Sequence, residues 1–195
     1  MKIIVSMYVT LLSMIIAGCL NMLFCKKNIC SVLCKPIDNG LVLKDGRRLF
    51  GKNKTWKGFI GYIIFSILTS VLFGLLFNFM NWNRYSFFYL NNDNTLMFNI
   101  FIGFLLGFAY AIFELPNSFI KRRCDIDSGE KANGLKKYLF IILDQIDSII
   151  GCIIIVSIFY KMSVLFFIGY VALGGFTHFI LNLILYSLKL RKTLC

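Results

Sequence analysis

Leu139-Phe-Ile-Ile-Leu-Asp144-Gln-Ile-Asp147-Ser-Ile-Ile-Gly151-Cys-Ile-Ile-Ile-Val-Ser-Ile-Phe-Tyr160 is long enough, as a helix, to cross roughly 30 Å of hydrocarbon. Two carboxylates, Asp144 and Asp147, sit inside it on one face of that helix. An ionised group at membrane depth is costly, and two side by side want a cation between them. The stretch therefore sets both terms of the problem: a helical membrane fold, and a polar site within it.

Composition agrees with the first term. The chain of 195 residues is 58% hydrophobic and only 15% charged, where soluble domains are nearer half apolar and about a quarter charged. The expected fold class is all-α, a polytopic membrane protein forming a single integral domain over residues 1–195. Five runs meet the length criterion, at about 3–25, 58–80, 95–116, 139–160 and 162–188. The first begins Met1-Lys2 and contains Ile16-Ala17-Gly18-Cys19, which resembles a lipoprotein signal. Apolar residues continue beyond Cys19 and a strongly basic segment follows, so the run is read as a retained span. Seven cysteines without a C-x-x-C pair, and a single histidine, His178, argue for free thiols and against a zinc site or a disulfide framework.

The net charge is +12, and its distribution carries the information. Nine Lys and Arg fall in 26–57, six in 117–138 and three after residue 188. The N-terminus, segment 81–94 and the turn between spans four and five hold one each. The positive-inside rule then puts the two long basic loops and the C-terminus in the cytoplasm, with the N-terminus outside, in the plasma membrane. Charge so arranged speaks for membrane lipids and phosphate ligands, not for nucleic acid.

Candidate site residues lie on the cytoplasmic side of this scheme. Ser118-Phe-Ile-Lys121-Arg122-Arg123 places a hydroxyl and three cations at the end of span three. Asp144 and Asp147 fall in the first turns of span four, and Glu114 is a candidate third acidic ligand. Pro116 is expected to end or kink span three. In the first basic loop, Gly46 to Lys52 nearly spells a P-loop, but Asn53 replaces the Ser or Thr and no strand precedes it. The cations Arg47, Arg48, Lys54 and Lys57, interleaved with Asn53, Thr55 and Trp56, serve equally well as phosphate ligands or as topology signals. For Lys26, Lys27, Lys136 and Lys137 headgroup contact is the favoured reading. Gly103-x-x-x-Gly107 is a helix-packing signal. His178, beside Thr177, Asn182 and Tyr186, reads first as a packing residue.

Three blocks of these residues resemble the lipid cytidylyltransferases that form CDP-alcohols, and among them the CDP-archaeol synthase family. They are Pro36-Ile-Asp38 with Asp45-Gly-Arg-Arg-Leu-Phe-Gly51 and Lys54-Thr-Trp-Lys-Gly58; Ser118-x-x-Lys121-Arg122 with Asp144-x-x-Asp147; and Thr177-His178 with Asn182 and Tyr186. Phosphatidate enzymes carry a Lys-Asp and a His-Gly-Gly between the halves of the second block. The interval Cys124 to Leu143 has neither, which favours the archaeol-type branch. The resemblance implies that CTP and a lipid phosphate give a CDP-lipid and pyrophosphate, with Mg2+. Lys121, Arg122, Asp144 and Asp147 would be catalytic, and Asp144, Asp147 and Glu114 would hold the metal. Arg47, Arg48, Asn53, Lys54, Thr55, Lys57, Ser118 and Arg123 would bind substrate. The alternatives are a CTP-dependent polyprenol kinase, which would transfer the γ-phosphate, and a small transporter or lipid-binding protein. A transporter predicts internal repeats, and none is visible.

Cys30 and Cys124 lie on the two basic loops. Impermeant thiol reagents should therefore label both in inverted vesicles and neither in intact cells. Labelling of either from outside would reverse the assigned orientation.

Overall fold

In the computed structural model, which describes residues 2–130 and 134–188, the five apolar runs are five helices: α1 Lys2–Lys26, α2 Trp56–Phe79, α3 Leu96–Arg123, α4 Leu135–Phe159 and α5 Val164–Ser187. Each is long and apolar enough to cross a membrane. Their starts follow local chemistry. The side-chain oxygens of Thr55, Thr95 and Ser163 accept hydrogen bonds from the backbone N–H groups of Gly58, Phe98 and Phe166, satisfying donors left open by the first turn. Among the described residues no strand forms, only isolated bridges between Pro36 and Thr55 and between Val42 and Arg48. Lys131, Lys189, Arg191 and Lys192, counted among the orienting cations, lie outside the described residues.

Each helix packs on its predecessor, and α2 with α3 makes the most extensive pair. Gly103 and Gly107 explain that closeness. A Cβ at Gly103 would stand 2.6 Å from the Ile67 Cα, and one at Gly107 would stand 2.7 Å from the Ile63 Cα. In lipid, where tails compete on equal terms with apolar side chains, such backbone approach is what holds helices together. Leu106, Cys152, Ile153, Val156 and Tyr170 are fully buried at the centre. The buried tyrosines find partners for their hydroxyls. Tyr62 donates to the Met14 carbonyl at 3.0 Å and Tyr170 to the Met7 carbonyl at 2.7 Å, tying α1 to α2 and to α5.

At the end of the bundle away from the basic loops, the α2–α3 connection turns inward. Phe87 donates its N–H to Thr10 Oγ1 at 2.9 Å and stacks on Tyr160, ring centroids 4.4 Å apart. Phe87 and Phe88 are both buried.

One expectation is corrected. α3 does not stop at Pro116 but continues to Arg123. Proline there removes the hydrogen bond its own N–H would give and crowds the Ile112 carbonyl with its ring, and membrane helices tolerate both when neighbouring helices and polar side chains surround the break. The consequence is functional: Glu114, Asn117, Ser118 and Lys121 now share one helical face.

The first basic loop, between α1 and α2, is folded around Asp38. Its carboxylate, whose side chain is fully buried, accepts from the N–H groups of Gly40 at 2.9 Å and Phe50 at 3.0 Å and from Arg48 Nη2 at 2.6 Å. Burial pushes the Asp38 pKa up, but Arg48 and the two backbone donors outweigh it and hold it below its ordinary value. A depressed carboxyl pKa contributes stability that is present above 3.8 and lost as pH falls through the lower folded value. Acid should therefore expose the wild-type loop to protease only below that range. Asp38→Asn should cost about 1–3 kcal/mol, by leaving Arg48 without its charge partner. Its loop should be cleaved already at neutral pH, with no further step in acid; protection indistinguishable from wild type at neutral pH would show that the carboxylate does not organise the loop.

Candidate active site

A cavity of about 660 Å3 opens among α1, α3, α4, α5 and the first basic loop. Its polar end is lined by Asn53 and Lys54 from the loop, by Glu114, Asn117, Ser118, Lys121 and Arg122 from α3, and by Asp144 and Asp147 from α4. The lining also includes apolar side chains, Leu11, Met14 and Ile15 of α1 and Leu173, Leu181 and Leu185 of α5. Charge and hydrocarbon surface thus meet in one space at membrane depth.

The carboxylate pair is held from α3. Lys121 Nζ reaches both oxygens of Asp144, at 2.5 and 2.6 Å. Asn117 Nδ2 bridges the pair, donating to Asp144 Oδ1 at 2.7 Å and to Asp147 Oδ2 at 2.8 Å. Asp147 Oδ1 accepts from the Ser148 backbone N–H at 2.6 Å. Lys54 Nζ pairs with Glu114 Oε2 at 2.5 Å, pinning the loop to α3. Burial draws the Lys54 pKa down, but the Glu114 charge and hydrogen bond, with Asp147 and Asp144 beyond, more than offset this; the net shift is upward and the ammonium stays charged. Arg122 is buried, with Asp127 3.8 Å from its guanidinium, and among the described residues its Nε and Nη1 have no hydrogen-bond partner. A buried guanidinium with open donors beside a cavity is suited to an anion.

Eight of the thirteen candidate catalytic, metal-holding and substrate-binding residues therefore line one cavity: Asn53, Lys54, Glu114, Ser118, Lys121, Arg122, Asp144 and Asp147. Ser118 also holds the loop, its Oγ accepting the Gly51 N–H at 3.0 Å. The other five are engaged outside its lining. Arg47 donates to the Arg123 carbonyl at 2.9 Å and to Asp125 at 2.6 Å. Arg48 holds Asp38. Arg123 pairs with Asp45 at 3.0 Å and donates to the Arg48 carbonyl. Together these arginines clamp the loop onto the end of α3. Thr55 caps α2, and Lys57 donates to the Lys27 carbonyl at 2.5 Å, with its ammonium over the Phe24 ring. Glu114 is not gathered with the aspartates into a cluster: among the described residues no three acidic, His or Cys side chains come close enough to hold a metal by themselves.

Asn117 was not singled out in the sequence, although it is the residue that joins the two aspartates. Treating Pro116 as a helix end hid its register with Glu114 and Lys121. His178 and Asn182 also line the cavity. His178 Nδ1 lies 3.3 Å from the Gln145 carbonyl oxygen, and Asn182 donates to Gln145 Oε1 at 2.8 Å, so both fasten α5 to α4 beside the aspartates.

Fold and cavity together define a five-helix intramembrane protein with a polar, doubly acidic centre and apolar side chains lining one cavity. The chain belongs to the CarS-like CDP-archaeol synthase family, whose family model matches residues 2–194. The CDP-archaeol synthase of Methanocaldococcus jannaschii is 30% identical over 160 residues, 80% of this chain and 81% of that protein. That of Archaeoglobus fulgidus is 31% identical over 163 residues, covering 80% and 82%. That of Thermococcus kodakarensis is 39% identical over 108 residues, and there the match spans just over half of each chain, 55% and 56%. A solved structure described as an intramembrane enzyme for archaeal membrane lipids biosynthesis superposes with a TM-score of 0.63 at 21% identity, covering 90% of this chain and 92% of that one. At that identity the likeness bears on the fold.

The Lys54–Glu114 pair gives a direct test of how loop and bundle are joined. Lys54→Met leaves Glu114 uncompensated near the aspartates and should lower stability by about 1–3 kcal/mol, since the pair is only partly exposed. Lys54→Met/Glu114→Gln should recover much of that loss. Thermal unfolding of the detergent-purified variants measures both; simple additivity would mean that the two side chains do not interact.

Proposed function

We propose that this chain transfers the cytidylyl group of CTP to the phosphate of a membrane lipid, giving a CDP-lipid of the CDP-archaeol type and pyrophosphate, at the cytoplasmic face of the plasma membrane. The observation that carries the proposal is the single cavity lined both by Lys121, Arg122 and the aspartate pair and by apolar side chains of α1 and α5. A lipid phosphate has both parts, an anionic head and hydrocarbon tails, and membership of the CDP-archaeol synthase family points to the same reaction.

The donor set suits Mg2+. Asp144 and Asp147 supply hard carboxylate oxygens on one helix face, and Asn117 adds a buried Oδ1 without a hydrogen-bond partner among the described residues beside them. Two carboxylates plus substrate phosphates are how Mg2+ is commonly held, so a third acidic side chain is not required. When bound, the ion supplies neutralisation of phosphate charge. Everything else falls to the protein. Arg122 offers open donors to phosphate oxygens, and Lys121 and Lys54 add positive charge at the same end. Asn53, a cavity-lining residue of the loop, is a hydrogen-bonding candidate for the substrate. The apolar lining receives the lipid tails and brings the lipid phosphate oxygen toward the α-phosphorus of CTP. That oxygen forms the new P–O bond, the bond to the β-phosphate bridging oxygen breaks, and pyrophosphate leaves. No covalent intermediate with the protein is needed; positioning and electrostatic stabilisation supply the rate.

Purified protein incubated with Mg2+, a panel of lipid phosphates and lipid alcohols, and CTP labelled at the α- or γ-phosphate separates this reaction from its rivals. Label from the α position should enter the lipid product, and γ label should leave as pyrophosphate. Transfer of γ label to a lipid alcohol would mean a kinase, and no product with any lipid would favour a transporter or lipid-binding protein. Asp144→Asn and Asp147→Asn should each cut turnover by at least ~100-fold, with the double variant scarcely worse, since both act through one centre. Their stabilities should differ. Asp144→Asn strands Lys121 and should melt earlier, whereas Asp147, held by neutral donors, should tolerate the change. A variant that is active per folded molecule would end the assignment of that aspartate.

A further inference from the structure

We propose that Asn117 is an exchangeable partner of the aspartate pair: its amide NH2 stands in for the divalent cation while none is bound, and its Oδ1 becomes a ligand when the cation enters. The proposal rests on the reading of Asp144 and Asp147 as the cation site and adds a residue and a motion to it.

Three observations carry it. First, both aspartates are joined through one nitrogen, Asn117 Nδ2, at 2.7 and 2.8 Å. A carboxamide has two N–H donors, and both are used here on carboxylate oxygens. They supply partial positive charge between two groups that would otherwise repel. Second, Asn117 is 7% exposed, and its Oδ1 is buried without a hydrogen-bond partner among the described residues. A buried acceptor is ordinarily satisfied, so this oxygen is the unpaired member of an otherwise complete network. Third, Asn117 lines the cavity directly, among the residues that would face the triphosphate.

A half-turn about the Cβ–Cγ bond exchanges the amide nitrogen and oxygen without moving the backbone, and that torsion is soft. The turn withdraws two donors from the carboxylates and presents a neutral, hard oxygen in their place. Amide carbonyls of this kind are suitable Mg2+ and Mn2+ ligands. Lys121 cannot do the same, because an ammonium has donors only. It holds both oxygens of Asp144 and neutralises that carboxylate in either state. The cation-free site is thus closed by side chains of the same helix and opens by rotation of one of them.

The test uses the full-length protein in detergent, without CTP or turnover. Mn2+ is the probe, its free concentration read by electron paramagnetic resonance, and thermal unfolding is recorded with and without it. Affinities are expressed per folded molecule for the wild type, Asn117→Ala, Asn117→Asp and Asp147→Asn. Asn117→Ala should weaken Mn2+ binding by roughly 10-fold or more. Asn117→Asp, which loses the donors but keeps an oxygen at that place, should bind Mn2+ at least as tightly as the wild type. It should melt earlier than the wild type when cation-free, because three carboxylates then converge, and should regain its melting temperature with Mn2+. Wild-type affinity in Asn117→Ala would overturn the proposal. So would loss of binding in Asn117→Asp equal to that in Asn117→Ala, which would mean that the amide only orients its neighbours. A wild type that binds no Mn2+, or an Asp147→Asn variant that binds it unchanged, would remove the cation site itself, a failure distinct from the first two.

Discussion

Two carboxylates held at membrane depth are the constraint to which the rest of the polar structure answers. Neither Asp144 nor Asp147 is stable there without company, and from α4 itself Ser148 donates to Asp147 through its backbone N–H and its hydroxyl. The company comes from α3, as Lys121 on Asp144 and Asn117 across both. For both residues to face α4, α3 has to stay helical through Pro116. For α3 to sit close to the bundle, Gly103 and Gly107 have to admit α2 at backbone distance. For the cluster to be covered, the first basic loop has to return to α3, which it does through Lys54 on Glu114 and the Gly51 N–H on Ser118. Helix packing, the proline and the loop fold are thus linked through one pair of acids.

The five helices were legible because hydrophobic run length is a strong signal; the Ser and Thr caps of α2, α3 and α5 came to notice only in the structure. The Gly103–Gly107 contact was legible for the same reason: small residues four apart in an apolar run have few other uses. Asp144, Asp147, Lys121 and Arg122 were visible as charge where charge is costly. What was hidden depends on contacts between segments far apart in the chain. Arg47, Arg48 and Arg123 are alike in sequence, exposed-looking cations in basic loops. Only the folded loop shows that they hold Asp125, Asp38, Asp45 and backbone carbonyls outside the cavity lining, while Arg122, next door, is turned inward with open donors. Along a helix, successive side chains point about 100° apart, so adjacency in sequence could not sort these two arginines. Asn117 was hidden by a local rule applied where tertiary context overrides it.

The basic loops carry two separable kinds of positive charge. One kind is spent within the loop, where each arginine of the clamp has a carboxylate or a carbonyl, and so shapes the rim of the cavity. The other kind, Arg122 with Lys54 and Lys121, lines the cavity, where Glu114 pairs with Lys54 and Asp144 with Lys121. The positive-inside pattern and the candidate site are therefore built from neighbouring residues but do different physical work.

The inward turn of the α2–α3 connection has a consequence for the cell as a whole. An acidic, water-accessible hollow reaching into a bilayer is the beginning of an ion conduit, and ion gradients across an energised membrane would discharge through one that ran from side to side. Phe87, stacked on Tyr160 and bonded to Thr10, and Phe88, edge-on to Phe159, pack aromatic rings into the far end of the bundle. None of these rings belongs to the lining of the cavity, so the two lie apart in the bundle. Ring packing of this kind offers ions no polar path, and a membrane crossed by such a bundle stays an insulator.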